Sequence, residues 1–281
     1  MVNENLEDVG DAWGNPSSSV APYVIAKMSV DATSAYYNMN HPKRGIALIF
    51  NHEEFGVGGL KQRAGTAVDC ENLNEQLKTL GFEVKVYNNM NYTDLNYVVE
   101  DVAQLDHSEN DCFLMAILSH GELGIIYAYD CQYKLESLWS KFTADRCPSL
   151  AGKPKIFIVQ ACQGDKLDAG VTMSRTEVDG TPMQSYRIPT HADFLIAYST
   201  IPGYYSWRNT TRGSWFIQSL CEELKINGKK LDFQTILTFV ARRVAVDYES
   251  NVPGDNLMHK QKQIPCVTTM LTRLIVFPDK Q

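Results

Sequence analysis

The 281-residue sequence contains no apolar run long enough to cross a bilayer and no apolar core near its start, where MVNENLEDVGD is acidic. Neither a membrane anchor nor a secretory signal is therefore expected. It has no excess of basic residues either. Lys and Arg number 26 against 33 Asp and Glu, a formal net charge of -7. A phosphate-binding face usually raises the basic count, so nucleic acid is not an expected partner. The seven cysteines (Cys70, Cys112, Cys131, Cys147, Cys162, Cys221 and Cys266) include no Cys-x-x-Cys pair and no other ligand spacing. That argues against a metal site and a disulfide framework, and no cofactor is expected. An odd, unpatterned set of cysteines suits reduced thiols in a cytoplasmic protein. No internal repeat divides the chain.

What is there is an ordinary globular composition, 44% hydrophobic and 21% charged, on a chain long enough for a sizeable core. Residues 1–28 are rich in Asn, Ser, Gly and Asp and are expected to be a disordered leader. From Arg44 onward, apolar runs with β-branched and aromatic content predict strands over 44–52, 82–88, 111–119, 154–160 and 193–199. A final strand is expected over 267–277. Helical periodicity fills the stretches between, at 66–80, 93–105, 135–143, 214–227 and 231–248. Strands alternating with helices predict an α/β sandwich on a mostly parallel sheet. Residues 163–190 break the rhythm with acids, Gly, Ser, Thr and two prolines. A long aperiodic loop of this kind is usually functional or disordered, and suits proteolysis.

Ligands of parallel sheets bind beyond the carboxyl ends of the strands. Two reactive residues fall there: Cys162, ending the run in KIFIVQACQG, and His120, ending the run in LSHGE. Neighbouring parallel strands would place both on one rim. A cysteine attacks as its thiolate, and a histidine can take the thiol proton and return one to the leaving amine. Gly121 and Gly164 would let substrate backbone come close, and the Gly121 N–H could face a developing oxyanion. Taken singly, a strand-end cysteine is more often a small buried apolar residue. Gln-Ala-Cys-Gln-Gly with a histidine some tens of residues upstream reverses that balance.

Several further stretches stand in one order: YYNMNHPKRGIALIFNHEEF, QRAGTAVDCENL, SHGE, QACQGD, HADFLIAYSTIPGYYSWRNTTRGSWFIQSLCEEL and KQIPCVTTMLTRL. Together they resemble the caspase family, in particular the short-leader executioner caspases of insects, over about Tyr36 to Phe277. The resemblance implies a three-layer sandwich with a six-stranded, mostly parallel sheet, and a cysteine endopeptidase cutting after aspartate at D-x-x-D-like sites. Cys162 would be the nucleophile and His120 the acid and base, with the N–H groups of Gly121 and Cys162 forming the oxyanion hole. No acidic third member is implied, and a backbone carbonyl near Lys61 is expected to orient the imidazole. Arg63, Gln160 and Arg208 would line the aspartate pocket. Tyr205 and Trp207 would wall the next subsite, and Asn209 and Trp215 the outer one. The stretch SNVPGDNLMHK after Glu249 lacks the aromatic pair that some relatives carry, which leaves the outer preference open.

The same resemblance implies a zymogen in three parts: a leader 1–28, a large catalytic subunit 29–179 and a small one 180–281. Cleavage is expected after Asp179 and Asp11, with Asp168 and Asp31 as weaker sites. Expected partners are protein substrates, an upstream initiator caspase, inhibitor-of-apoptosis proteins gripping Ala12, and a second copy in a homodimer. An initiator role fits poorly, because a leader of this length cannot hold an adaptor domain. A metacaspase-like or legumain-like specificity fits poorly with two pocket arginines. An inactive scaffold would not need this full set of residues.

Overall fold

The computed structural model describes Ala26 and residues 30–169 and 190–280. Apart from Ala26, the expected leader lies outside the described residues, as do the cleavage positions Asp11 and Asp179. The apolar runs form the strands β1 (Ile46–Asn51), β2 (Glu83–Asn88), β3 (Phe113–Leu118), β7 (Lys155–Gln160) and β8 (Phe194–Tyr198). Short hairpin strands lie between and after them: β4 (Gly121–Glu122), β5 (Ile125–Tyr127), β6 (Gln132–Lys134), β9 (Arg208–Asn209) and β10 (Gly213–Ser214). The main sheet has the order β11-β8-β7-β3-β1-β2, where β11 is Cys266–Thr269. Its neighbours run parallel except β11, which is antiparallel to β8.

Alternation along the inner strands assigns side chains to two faces. Ile156 and Ile158 of β7, with Leu114 and Ala116 of β3, meet α1 (Thr66–Thr79), α4 (Trp215–Asn227) and α5 (Phe233–Asp247). Phe157 and Val159, with Phe113 and Met115, meet α2 (Tyr92–Ala103), α3 (Glu136–Trp139) and two 3₁₀ turns, Ser140–Phe142 and Pro148–Leu150. Both faces of β1, β3 and β7 are buried, which is why their sequences are continuously apolar. The result is the three-layer α/β sandwich expected.

Two expectations need correction. The final strand is not continuous over 267–277. β11 ends at Thr269, and the chain turns where Leu271 N–H donates to Thr269 Oγ1 at 3.3 Å. It then leaves the sheet, with Leu274 bridging Tyr36, the Ile275 carbonyl accepting from the Phe233 N–H, and Ile275 and Phe277 in the core. Leu274 to Phe277 are apolar because they pack against the core, not because they extend the strand. Nor is the 163–190 segment irregular from its start: Lys166 bridges Tyr204 and Asp168 bridges Lys262. Residues 170–189 lie outside the described residues.

Candidate active site

The register of β3 against β7 pairs Leu118 with Gln160, so the two chains leave the sheet side by side. His120 and Cys162 both follow within two residues, on the carboxyl rim. His120 Nε2 lies 2.7 Å from the Lys61 carbonyl oxygen. A carbonyl only accepts, so Nε2 donates and the neutral ring keeps Nδ1 as its free base. Cys162 Sγ accepts from the Ser206 N–H at 3.4 Å. Burial pushes the Cys162 thiol up, against smaller opposing effects of the Ser206 N–H, Arg63 and Arg208. Burial pushes His120 down, opposed by the Lys61 carbonyl and reinforced by Arg63 and Arg208. Both shifts favour a neutral thiol beside a neutral imidazole at rest over an ion pair.

The two glycines also meet a demand of the rim itself. A Cβ on Gly121 would stand 2.9 Å from Ala161 Cβ and 3.0 Å from the Cys162 oxygen. One on Gly164, at φ +149°, would stand 2.4 Å from the Gly203 oxygen. The space beside each is filled by the rim's own loops, so these glycines let the rim close on itself.

Beside the rim, Arg63 is only 1% exposed. Its Nη1 donates to the His52 carbonyl at 2.9 Å and to Thr66 Oγ1 at 2.8 Å. Arg208 donates through Nε to the Ala64 carbonyl at 2.9 Å. Both are held by neutral oxygens, and neither has a carboxylate within ion-pair distance among the described residues. Burial, then the charge of Arg208, pushes the Arg63 guanidinium down to about 9, still cationic at neutral pH. Gln160 is buried between β7 and the rim; its Nε2 donates to Ser206 Oγ at 2.9 Å, and its Oε1 is buried without a partner. An amide can be turned over without moving its atoms, and the Ser206 hydroxyl can donate as readily as accept. Turned over, Gln160 Oε1 accepts from Ser206 and Nε2 becomes a free donor beside the arginines.

Outward from the arginines lies a cavity of about 570 Å³, lined by Trp207, Arg208, Asn209, Trp215 and Tyr248 among others. Tyr205, Trp207, Trp215 and Tyr248 form a run of ring contacts with centroid spacings of 5.2, 5.7 and 5.4 Å. Asn209 Oδ1 accepts from the N–H groups of Thr211 and Arg212, both at 2.9 Å, which leaves its amide Nδ2 for other partners. Glu249 to Val252, which lack an aromatic pair, form another wall. Of the ten site residues expected from sequence, Trp207, Arg208, Asn209 and Trp215 line this cavity, Tyr205 touches Trp207 beside it, and Gly121, His120, Gln160 and Cys162 stand on or next to the carboxyl rim.

Sequence reasoning did not single out Phe55, Asp69, Ser206 or Gln263. Buried Asp69 accepts from Ser214 N–H at 2.8 Å and Ser214 Oγ at 2.6 Å. Burial pushes its carboxyl up to about 6 against those hydrogen bonds. Gln263 accepts from the Trp207 N–H and donates to the Ser199 carbonyl, both at 2.7 Å, tying down the strand that carries the arginine. All four lie inside the quoted motifs, but no spacing within the motifs marks them.

Comparison with known proteins agrees with this geometry. The family described as Caspase domain matches residues 44–276. Caspase-1 of Spodoptera frugiperda is 60% identical over 274 residues, covering 98% of this chain and 91% of that protein. Caspase drICE of Drosophila melanogaster is 62% identical over 278 residues, covering 98% and 82%. Caspase-3 of Mus musculus is 46% identical over 243 residues, covering 86% of each. The crystal structure of caspase-1 from Spodoptera frugiperda superposes with a TM-score of 0.87 at 58% identity, over 92% of this chain and 99% of that one.

Proposed function

The chain belongs to the caspase family and is an executioner-type cysteine endopeptidase that cuts after aspartate in apoptosis, and on that premise we propose that Cys162 is its nucleophile and His120 its acid and base. The observation that carries the assignment is the Lys61 carbonyl 2.7 Å from His120 Nε2, which leaves Nδ1 as the base on the rim where Cys162 lies. With burial pushing the thiol up and the imidazole down, the proton moves as the bond forms. Nδ1 takes the thiol proton while sulfur attacks the scissile carbonyl carbon. The resulting oxyanion is held by the N–H groups of Gly121 and Cys162. His120 then gives its proton to the departing amine, leaving a thioester. Water, deprotonated by the same imidazole, hydrolyses the thioester and restores the thiol.

Arg63, Arg208 and Gln160 receive the aspartate carboxylate. Two guanidinium groups bound only to neutral oxygens are a site prepared for an anion. Tyr205 and Trp207 take the preceding side chain, and Asn209 and Trp215 the outer one. The substrates are proteins. The chain is made as a zymogen in the cytoplasm, cut after Asp179 by an upstream initiator caspase into a large and a small subunit, and trimmed after Asp11. Inhibitor-of-apoptosis proteins bind the new Ala12. Two processed units pair through β11, the sheet edge, where Val267, and Met270 just beyond the strand, are 37% and 36% exposed. Among the described residues no helix is long and apolar enough to cross a membrane.

Intact mass of the purified chain beside its Cys162→Ala variant tests the nucleophile and the cut together. The expected result is fragments 12–179 and 180–281 from the native chain, with the variant whole. Added initiator caspase should cut both. Turnover of an aspartyl reporter by the cut variant would refute Cys162 as the nucleophile.

A further inference from the structure

Phe55 stands out as an aromatic residue that belongs to neither hydrophobic core. Its ring contacts are two histidines: His120, with centroids 4.9 Å apart at 45°, and His52, at 6.3 Å and 30°. The loop that carries it is fastened on both sides. Before it, the N–H groups of Glu53 and Glu54 donate to Asn89 Oδ1 at 2.8 and 3.1 Å. After it, the Gly56 N–H donates to the Tyr129 carbonyl at 2.7 Å. Asn89 itself is held at φ 50°, a left-handed conformation that asparagine tolerates better than most residues. A loop built with this many anchors places its aromatic ring at a fixed point, and that point is the face of His120.

The same loop runs on to Lys61, whose carbonyl accepts a hydrogen bond from His120 Nε2–H. One segment therefore grips the imidazole twice, by one edge through a hydrogen bond and by one face through a ring. We propose that Phe55 is a positioning residue for His120, fixing the ring plane so that Nδ1 stays aimed across the rim and keeping water off that face. The proposal rests on His120 being the acid and base of the reaction.

The charged groups around His120 are Arg63 from the loop before α1 and Arg208 from β9, and both favour the neutral ring. Glu122, which follows Gly121, has its carboxylate engaged by the Tyr127 hydroxyl at 2.8 Å. Glu53 accepts from Gln62 at 3.2 Å, and Cys162 on the rim has its thiol pushed up. Burial is the largest cause of the lowered His120 value. Phe55 supplies part of that burial. Removing it admits water, raises the imidazole towards its ordinary value and protonates the base at higher pH.

The test uses the processed two-chain enzyme with an aspartyl reporter peptide across a pH series. Phe55→Ala should lower kcat by roughly 10- to 100-fold, the scale of a small misplacement of a reacting group, with KM little changed. The acid limb of kcat/KM should move to higher pH. Phe55→Tyr should restore both. Asn89→Gly, which keeps the backbone conformation but removes the anchor, should move both readouts the same way by less. Stoichiometric titration of the Cys162 thiol confirms that each variant is folded, and Phe55→Leu replaces the alanine variant if that one is not. A raised KM with kcat and acid limb unmoved would make Phe55 a substrate wall and overturn the proposal. Equal losses in Phe55→Ala and Phe55→Tyr would overturn it as well. Full turnover by His120→Ala would instead be a failure of the His120 assignment itself.

Discussion

The two ends of the central sheet bury charge in opposite ways. At the amino end, Asp111 is fully buried and surrounded by donors: Arg44 Nη1 at 2.7 Å, Lys280 Nζ, the His41 N–H at 2.9 Å and His41 Nδ1 at 3.1 Å. Nearby, Lys153 Nζ donates to the carbonyls of His107, Ser108 and Asn110 at 2.7–2.8 Å. At the carboxyl end, Arg63 and Arg208 bond neutral oxygens, while Gln160 Oε1 and both ring nitrogens of His52 are buried without partners. An unsatisfied buried polar group costs stability, and proteins keep such groups where a ligand will complete them. The amino end is finished by the chain itself. The carboxyl end is not, and on the proposed function an aspartyl substrate would supply the missing anion.

The sharpest test of that contrast is to supply a substrate that does not finish the site. A peptide with asparagine in place of aspartate leaves two guanidinium groups without an anion, and should be turned over roughly 10⁴-fold less well. Glutamate, one methylene longer, should lose only roughly 1–3 kcal/mol. The Arg208→Ala variant should lose about 2–5 kcal/mol in kcat/KM for aspartyl peptides and discriminate poorly against asparaginyl ones. Unchanged aspartyl turnover in that variant would remove Arg208 from the pocket.

At the other end, the expected loss is in folding rather than turnover. Asp111→Ala strands Arg44 and Lys280 in a buried place, and should destabilise the fold by about 3–5 kcal/mol. Turnover per titrated thiol should stay that of the parent. A variant with parental melting but altered KM would show that the two ends are not separate after all.

The parts of this contrast that could be read from sequence are those set by local chemistry. Ile156, Phe157, Ile158 and Val159 announce a strand buried on both faces, and Gln160-Ala161-Cys162-Gln163-Gly164 announces the reactive rim beyond it. The motifs singled out Arg63 and Arg208, and the structure shows them held by neutral oxygens. What stayed hidden depends on pairs brought together only by folding. Asp69 and Ser214 are 145 positions apart, and Phe55 owes its place to Asn89 and Tyr129. The last strand misled for a related reason. An apolar run such as Leu274 to Phe277 signals burial, and burial does not distinguish a sheet extension from a segment that leaves the sheet and packs against the core. The glycines at 121 and 164 signalled close approach, and the rim's own loops make one such approach that no spacing marks.

The smallest expected effect has the most telling sign. Asp69 is buried like Asp111, yet its carboxyl is pushed up to about 6, with burial the largest cause and the two Ser214 bonds opposing it. A carboxyl whose folded value lies above its unfolded one holds its proton more tightly in the folded state. Its contribution to stability is fully present below the unfolded value near 3.8 and is lost as pH rises through about 6. At neutral pH the ionised group is therefore a burden on the fold, kept beside Arg63 and Arg208. Asparagine can accept from the Ser214 N–H through Oδ1 and donate to Ser214 Oγ through Nδ2, so Asp69→Asn keeps the geometry and drops the charge. It should raise the melting temperature at pH 7.5 by about 2–4 °C, the shift that roughly 1 kcal/mol gives in a chain of this size. The gain should vanish near pH 4, where the native carboxyl is already protonated. The same substitution at Asp111 should lower the melting temperature at pH 7.5. If Asp69→Asn lowers it too, Asp69 stabilises the fold as Asp111 does, and the carboxyl end of the sheet is less a site left open for an anion than one already balanced by its own.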